Sequence, residues 1–383
     1  MYRSIALAVA VLSFSAAAAV SLSTNTHRAE ASQTSRSLLV GIYDEPSTIG
    51  RPTWAFPRYR ALRVKVLRVN LYWGDLLGAA RVRRPARPTD PADPAYNWWI
   101  YDQTVRRAQQ NGIRIVFSIL FTPRWAAARR NHAPRRMADL RNFAIAAARR
   151  YSGTYVAVQG ERPLPAVRYW LAWNEPNNPV FLSPQFKRVR GGRYAAWSPR
   201  IYSQMCNAIY SGVKAVSRAN KVGCGVTAPR GNNAARSSRP SISPIYFARG
   251  MNRWRARYDA YAHHPYYGHR LETPTSRPRV RGSTAVLLGN INDLVRVIGR
   301  RRLWITEYGF QTRPERIFPV SFAQQARYVS QSFAIARRHP RIDMMLWFLL
   351  RDDPRIGNGW QSGFFTVRGR AKPSYRAFQR VRK

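Results

Sequence analysis

Six lysines and two cysteines stand against 58 arginines in this 383-residue chain, and aspartate and glutamate together number only 18. So few cysteines exclude a disulfide-dense scaffold and a thiolate metal site. No tract of His, Cys, Asp or Glu has metal-ligand spacing, so neither metal nor other cofactor is expected. Cys206 falls on a predicted helix and Cys224 on the strand after it. They can meet as a disulfide in an oxidising compartment or stay as two buried thiols, and the expectation taken here is free thiols. The chain also lacks internal repeats and, beyond its first 20 residues, any apolar run of membrane-spanning length.

The shortage of acids leaves a net charge of +46. A field of that size holds a protein on anionic glycans, cell-wall polymers, lipid head groups or nucleic acid in a salt-dependent way. The arginines spread along the chain without clustering, so a compositional bias accounts for the charge as well as an anionic partner does. No nucleic-acid-binding motif accompanies it, and no specific nucleic-acid partner is expected.

The one long apolar stretch, Ile5 to Val20, follows Met1-Tyr-Arg3 and precedes Ala29-Glu30-Ala31. That is the layout of a secretory signal with an Ala-x-Ala cleavage site. An uncleaved anchor is the competing reading, but 16 residues fall short of the roughly 20 that span a bilayer comfortably. Residues 1–31 are expected to be lost on export and residues 32–383 to form the secreted protein, with cell-wall association left open. Cleavage removes Arg3, Arg28 and Glu30 and leaves +45, so the charge belongs to the folded body.

What is present is core material: hydrophobic residues make up 45% of the chain, with 12 tryptophans. Continuous apolar runs rich in β-branched residues predict strands at 38–43, 64–71, 113–120, 167–173, 222–227, 258–263, 303–306 and 342–348. Amphipathic patterns predict helices at 96–110, 137–150, 201–218, 244–253, 290–298, 322–338 and 374–381, with a weak one at 57–62. Eight strand-then-helix units imply an α/β protein, a single (β/α)8 TIM barrel covering residues 32–383. Segments rich in Arg, Pro and Gly follow strands and precede helices, where a barrel carries its functional loops. Arg81, Arg83, Arg84, Arg129, Arg130, Arg135, Arg136, Arg277, Arg279 and Arg281 lie in these segments and predict a positively charged cleft mouth.

Two glutamates, 132 positions apart, end two of the predicted strands: Glu175 in Trp173-Asn-Glu-Pro-Asn177 and Glu307 in Ile305-Thr-Glu-Tyr-Gly309. A lone carboxylate at a strand end is more often a solvated loop residue than a catalyst. A pair at the ends of parallel strands can converge on one face, as hydrolysis through a covalent glycosyl intermediate requires, with carboxyl groups about 5 to 5.5 Å apart. Burial would raise the pKa of Glu175 for general-acid work, and Asn174 beside it can donate to a sugar 2-hydroxyl. Glu307 as nucleophile must stay ionised. Arg68, unusual amid Val66, Leu67, Val69 and Leu71, can supply the cation, and Tyr266 in His263-His-Pro-Tyr266 can supply a hydroxyl. His263 and His264 end the sixth strand, and Trp347 ends the eighth, where an indole can stack on a sugar ring. Trp73, Trp125 and Trp360 are candidates for outer subsites.

The strings LAWNEPN, LWITEYGF, HHPY and LWF resemble glycoside hydrolase clan A, retaining barrel enzymes, over residues 38–383. The resemblance implies Glu175 as acid/base, Asn174 as its neighbouring amide, Glu307 as nucleophile, His264 and Tyr266 as the strand-six pair, Arg68 as the strand-two arginine and Trp347 as the sugar platform. The cellulase-like family 5 pattern has a histidine ending strand three; Val116 to Ala126 has none, and Thr122-Pro-Arg-Trp-Ala126 looks closer to family 39. The implied activity is secreted, retaining hydrolysis of β-glycosidic bonds in an oligo- or polysaccharide. A barrel that binds cell-wall or acidic polysaccharide without turnover is the alternative, but it would have no need of both carboxylates.

Overall fold

A computed structural model describes residues 38–357 and 360–383; the expected signal segment, 1–31, lies outside the described residues. Eight parallel strands close into a barrel in chain order: β1 (Leu39–Tyr43), β2 (Val66–Tyr72), β3 (Arg114–Leu120), β4 (Tyr169–Ala172), β5 (Lys221–Thr227), β6 (Ala260–His263), β7 (Arg302–Ile305) and β8 (Ile342–Phe348), with β8 pairing back to β1. A short helix α1 (Glu45–Gly50) precedes α2 (Pro52–Ala61). Each later strand is followed by one helix: α3 (Trp99–Gln110), α4 (Met137–Arg150), α5 (Ser198–Val216), α6 (Pro244–Arg253), α7 (Asn292–Ile298), α8 (Phe322–Arg338) and α9 (Pro373–Arg380). A two-stranded ribbon, Phe186–Arg188 with Tyr194–Ala196, decorates the loop after β4.

The strands read as largely apolar runs because both of their faces are covered. One set of side chains fills the barrel: Val66, Val116, Leu171, Val226, Ala260, Ala262, Trp304, Met344 and Leu346. The intervening set, including Leu67, Phe117, Trp170, Ile305, Met345 and Trp347, faces the helices. Trp304 takes so much of the interior that a Cβ at Gly223 on β5 would sit 2.7 Å from its ring, so glycine is required there. The helices bury a single stripe. In α8 this is Gln325, Tyr328, Val329, Ser332, Phe333 and Ala336, and its start is fixed where Ser321 and Gln324 each accept the other's backbone N–H, at 3.1 and 2.8 Å.

Cys206 and Cys224 form a disulfide, which corrects the expectation of free thiols. α5 packs against the outside of β5, and the two Cα atoms come within 6.2 Å, inside the distance a disulfide spans. Sequence spacing alone does not reveal that approach, because it depends on which turn of α5 faces the strand.

Candidate active site

All eight strands point the same way, so their carboxyl ends form one rim. A cleft of about 1040 Å³ opens there, lined by Asn174, Glu175, Tyr266, Glu307 and side chains from six of the strand-end loops. At the end of β4 the backbone turns sharply, with Trp173 at φ +72° and Glu175 at φ +36°. Such left-handed geometry costs on the order of 1–3 kcal/mol per non-glycine residue, and persists only where surroundings enforce it. Here the Glu175 N–H donates to the Val226 carbonyl at 2.8 Å, and the Trp173 indole donates to the Phe181 carbonyl at 2.7 Å. Asn177 then ties this loop to the next: its Oδ1 accepts from Ala228 N at 2.8 Å and its Nδ2 donates to the Ile242 carbonyl at 2.9 Å.

Arg68 is fully buried and joins the site from below. Its Nη1 donates to Glu307 Oε1 at 2.8 Å and its Nη2 to Asn174 Oδ1 at 2.6 Å. The Tyr266 hydroxyl donates to Glu307 Oε2 at 3.1 Å. Glu307 therefore has a cationic donor on one oxygen and a neutral donor on the other.

His264 bridges the two glutamates, with Nδ1 3.0 Å from Glu175 Oε1 and Nε2 3.2 Å from Arg68 Nη1 and 3.0 Å from Thr306 Oγ1. Burial lowers its pKa to about 3, so the ring is neutral at ordinary pH. A guanidinium only donates, so Nε2 accepts and the proton resides on Nδ1, directed at Glu175. His263 carries the opposite tautomer: its Nε2 faces the Val286 carbonyl at 2.9 Å and must donate, while Nδ1 accepts from Thr227 Oγ1 at 2.8 Å. It braces loops and does not reach the cleft.

Burial is the largest influence on Glu175 and raises its pKa to about 6, against opposing effects from the Asn178 amide, Arg68, Arg239 and Arg230. The Asn178 Nδ2 donates to Glu175 Oε2 at 3.1 Å. Ligand-type atoms of Glu175, His264 and Glu307 all fall within 4.8 Å of one another. The Arg68 guanidinium already pairs with Glu307, and the His264 nitrogen nearest the carboxylates carries its proton, so the trio is poorly suited to a metal ion.

Six of the seven expected site residues, Arg68, Asn174, Glu175, His264, Tyr266 and Glu307, are thus brought together. Trp347 is not. It is fully buried on the helix-facing side of β8, stacked on Phe364 with ring centroids 5.6 Å apart, and its indole N–H donates to the Ser362 carbonyl at 2.8 Å. Alternation along a strand is the reason: Met344 and Leu346 point into the barrel, so Phe348 continues that face to the cleft and Trp347 turns away. A half-buried indole lines the cleft instead: Trp360, from the loop after β8, against Tyr266 at 4.7 Å and Phe348 at 5.5 Å. Trp73 is buried, and Trp125 lines a separate cavity with Arg84, Arg136 and Asp139. Of the ten arginines expected at the mouth, Arg281 alone lines the cleft, where Arg230 and Arg239 join it.

A second polar cluster lay outside the sequence reading. Glu45, just past β1, accepts from the Tyr72 hydroxyl at 2.7 Å, and Asn70 Nδ2 donates to the hydroxyls of Tyr43 at 2.7 Å and Tyr72 at 3.2 Å. Burial raises the pKa of Glu45 to about 7. Asn70 and Tyr72 share the face of β2 that carries Arg68, a signal that period-two reading from Arg68 contains.

No family model and no curated protein sequence matches the chain. Solved structures do. A glucosidase from Croceicoccus marinus superposes with TM-score 0.65 at 17% identity over 91% of this chain and 66% of that one. A family 39 glycoside hydrolase from Bacteroides cellulosilyticus gives 0.59 at 20% identity, over 91% and 64%. A monomeric β-xylosidase from Caulobacter crescentus gives 0.59 at 17% identity, over 90% and 67%. The chain has the barrel fold of these glycoside hydrolases. It spans about two thirds of the length of these three proteins.

Proposed function

We propose that the chain is a retaining glycoside hydrolase of clan A that cleaves β-glycosidic bonds in an oligo- or polysaccharide. The observation that carries this reading is the pair of carboxylates in unlike surroundings, with an oxygen of Glu175 within 4.8 Å of one of Glu307. Inverting enzymes keep their carboxyl groups about 6.5–9.5 Å apart to admit a water; the closer spacing suits direct attack by one of them. Glu307, held by Arg68 and Tyr266, attacks the anomeric carbon as the bond to the leaving oxygen breaks, and Glu175 gives that oxygen its proton. Glu175 then takes a proton from water, the hydroxide attacks the same carbon, and the bond to Glu307 breaks. Two inversions retain configuration. Asn174, its carbonyl oxygen occupied by Arg68, has its amide N–H groups left to meet the sugar 2-hydroxyl, and Trp360 takes the platform role first assigned to Trp347.

The likeness to a family 39 enzyme and the Thr122-Pro-Arg-Trp-Ala126 string both favour that family over family 5. Export with loss of residues 1–31 fits the disulfide, which persists in oxidising compartments. N-terminal sequencing of secreted material should begin near Ser32; recovery only from membranes with Met1 retained would contradict it. The test of the activity is hydrolysis of a panel of aryl β-glycosides by the mature chain, with Glu307→Ala as the control. Turnover that the substitution leaves intact, or none on any member, would contradict the reading.

A further inference from the structure

The walls of the cleft differ in kind. Around Glu307 and the β1, β2, β3 and β8 ends, the lining is aromatic and uncharged: Tyr43, Tyr72, Phe121, Phe348 and Trp360. The wall built by the loops after β5 and β6 holds Arg230, Arg239 and Arg281 among Asn232, Ser241, Ser283 and Thr284, with no carboxylate of its own facing the cleft. In a chain with 58 arginines the presence of three decides nothing. Their position does, since all three lie on one wall, and that wall flanks Glu175.

Contacts fix the relation. Arg239 Nη2 reaches Asn178 Oδ1 at 3.4 Å, and the same amide donates to Glu175 Oε2. Arg230 Nη2 donates to the Tyr266 carbonyl at 3.2 Å, and its guanidinium lies over Gly268, where a Cβ would come within 2.1 Å of it. Arg230 and Arg239 are near enough to Glu175 to oppose the rise in its pKa. All three arginines are exposed, and among the described residues none is ion-paired within 4.0 Å. Arg230 also feels the more distant charges of Glu272 and Glu175. Cations without a direct ion-pair partner beside low-dielectric walls focus an attractive field on anions, and a guanidinium offers paired donors to carboxylate or sulfate oxygens.

The proton donor faces the leaving group, so this wall belongs to the departing half of the substrate. Resting on the glycosidase reading, we propose that the leaving-group subsite takes a sugar bearing a negative charge, a uronate carboxylate or a sulfate ester, held by Arg230, Arg239 and Arg281. The neutral aromatic wall receives the sugar whose bond to oxygen is broken.

The test compares kcat/KM of the mature chain on matched oligosaccharides whose leaving unit is neutral, a uronate or a sulfate ester. The anionic member, of either source, should lead. In the variant R230Q/R239Q/R281Q, the ratio of anionic to neutral kcat/KM should fall at least tenfold. A second triple variant, R114Q/R218Q/R300Q, removes three exposed arginines from the opposite end of the barrel, with the same change in net charge, and should leave that ratio within twofold. Equal loss in both would assign the preference to overall charge and overturn the proposal, as would a neutral preference in the unmodified chain or an unchanged ratio in the first variant. Thermal melting of each variant identifies any that fails to fold, and single substitution of Arg281, at a loop tip, then replaces the triple. Aryl glycosides, whose leaving group is not a sugar, keep the two readings apart: hydrolysis of these without an anionic preference defeats the subsite alone, and no hydrolysis of any defeats the glycosidase reading.

Discussion

Glu175, largely shielded from solvent and raised to about 6, sits over a neutral His264, and that pairing sets a pH dependence with a definite sign. The proposed mechanism requires Glu175 protonated in the first step, so turnover of substrates with poor leaving groups should fall as pH rises through about 6. Activated aryl glycosides, which depart without a proton, should lose this limb. Arg239 opposes the rise in the pKa of Glu175, so Arg239→Gln should move the limb to higher pH; a pH–rate profile that does not move would remove the arginine from the neighbourhood of the acid. The two tryptophans separate by the property each change affects. Trp347→Ala should destabilise by about 3–5 kcal/mol, as removal of a buried indole does. Trp360→Ala should leave the melting temperature within a few degrees and raise KM. The reverse pattern, read by denaturant melts and steady-state kinetics, would restore Trp347 to the cleft.

Elements were legible where hydrophobic pattern and local signals agree. The α4, α6, α8 and β8 segments begin and end where apolar periodicity places them, and the other expected elements differ by a few residues at their ends, whereas α1 and the ribbon after β4 are too short to carry a periodic signal. The short Pro57–Leu62 reading became α2 at Pro52–Ala61, because proline is tolerated in the first turn and Trp54 and Phe56 extend the packed face. Misreadings came where a side chain's direction decides the outcome. Trp347 stands at a strand end, but alternation from Met344 turns it outward. Arg230, Arg239 and Trp360 come from loops, whose path follows from contacts between loops and not from any period. The Cys206–Cys224 bond belongs to this level. It closes a loop of 18 residues, so Cys206→Ala with Cys224→Ala should cost on the order of 3 kcal/mol. An unchanged melting temperature, or one lowered no further by reductant in the native chain than in the double variant, would show that the bond does not form or does not brace α5 against β5.

At the scale of the whole molecule, the barrel separates two roles of charge. The fold tolerates so high a net charge because, among the described residues, the arginines lie outside both apolar layers, with buried Arg68 as the exception. Exposed charge is screened within about 8–10 Å at physiological salt, so association of the chain with polyanionic surfaces should weaken steeply between low and physiological ionic strength. Turnover of neutral aryl glycosides should change little over the same range; a parallel loss in both would place the whole field, and not the cleft wall, in control of catalysis. The proposed mechanism turns on a more local point, that Glu307 acts as nucleophile and a covalent glycosyl-enzyme forms on it. The measurement that tests it most directly is peptide mapping by mass spectrometry after incubating the mature chain with the 2-deoxy-2-fluoro form of its best aryl β-glycoside. An adduct on the peptide containing Glu307, at that residue, is the expected result; an adduct on any other residue, or none from a chain that hydrolyses the parent glycoside, would contradict the mechanism.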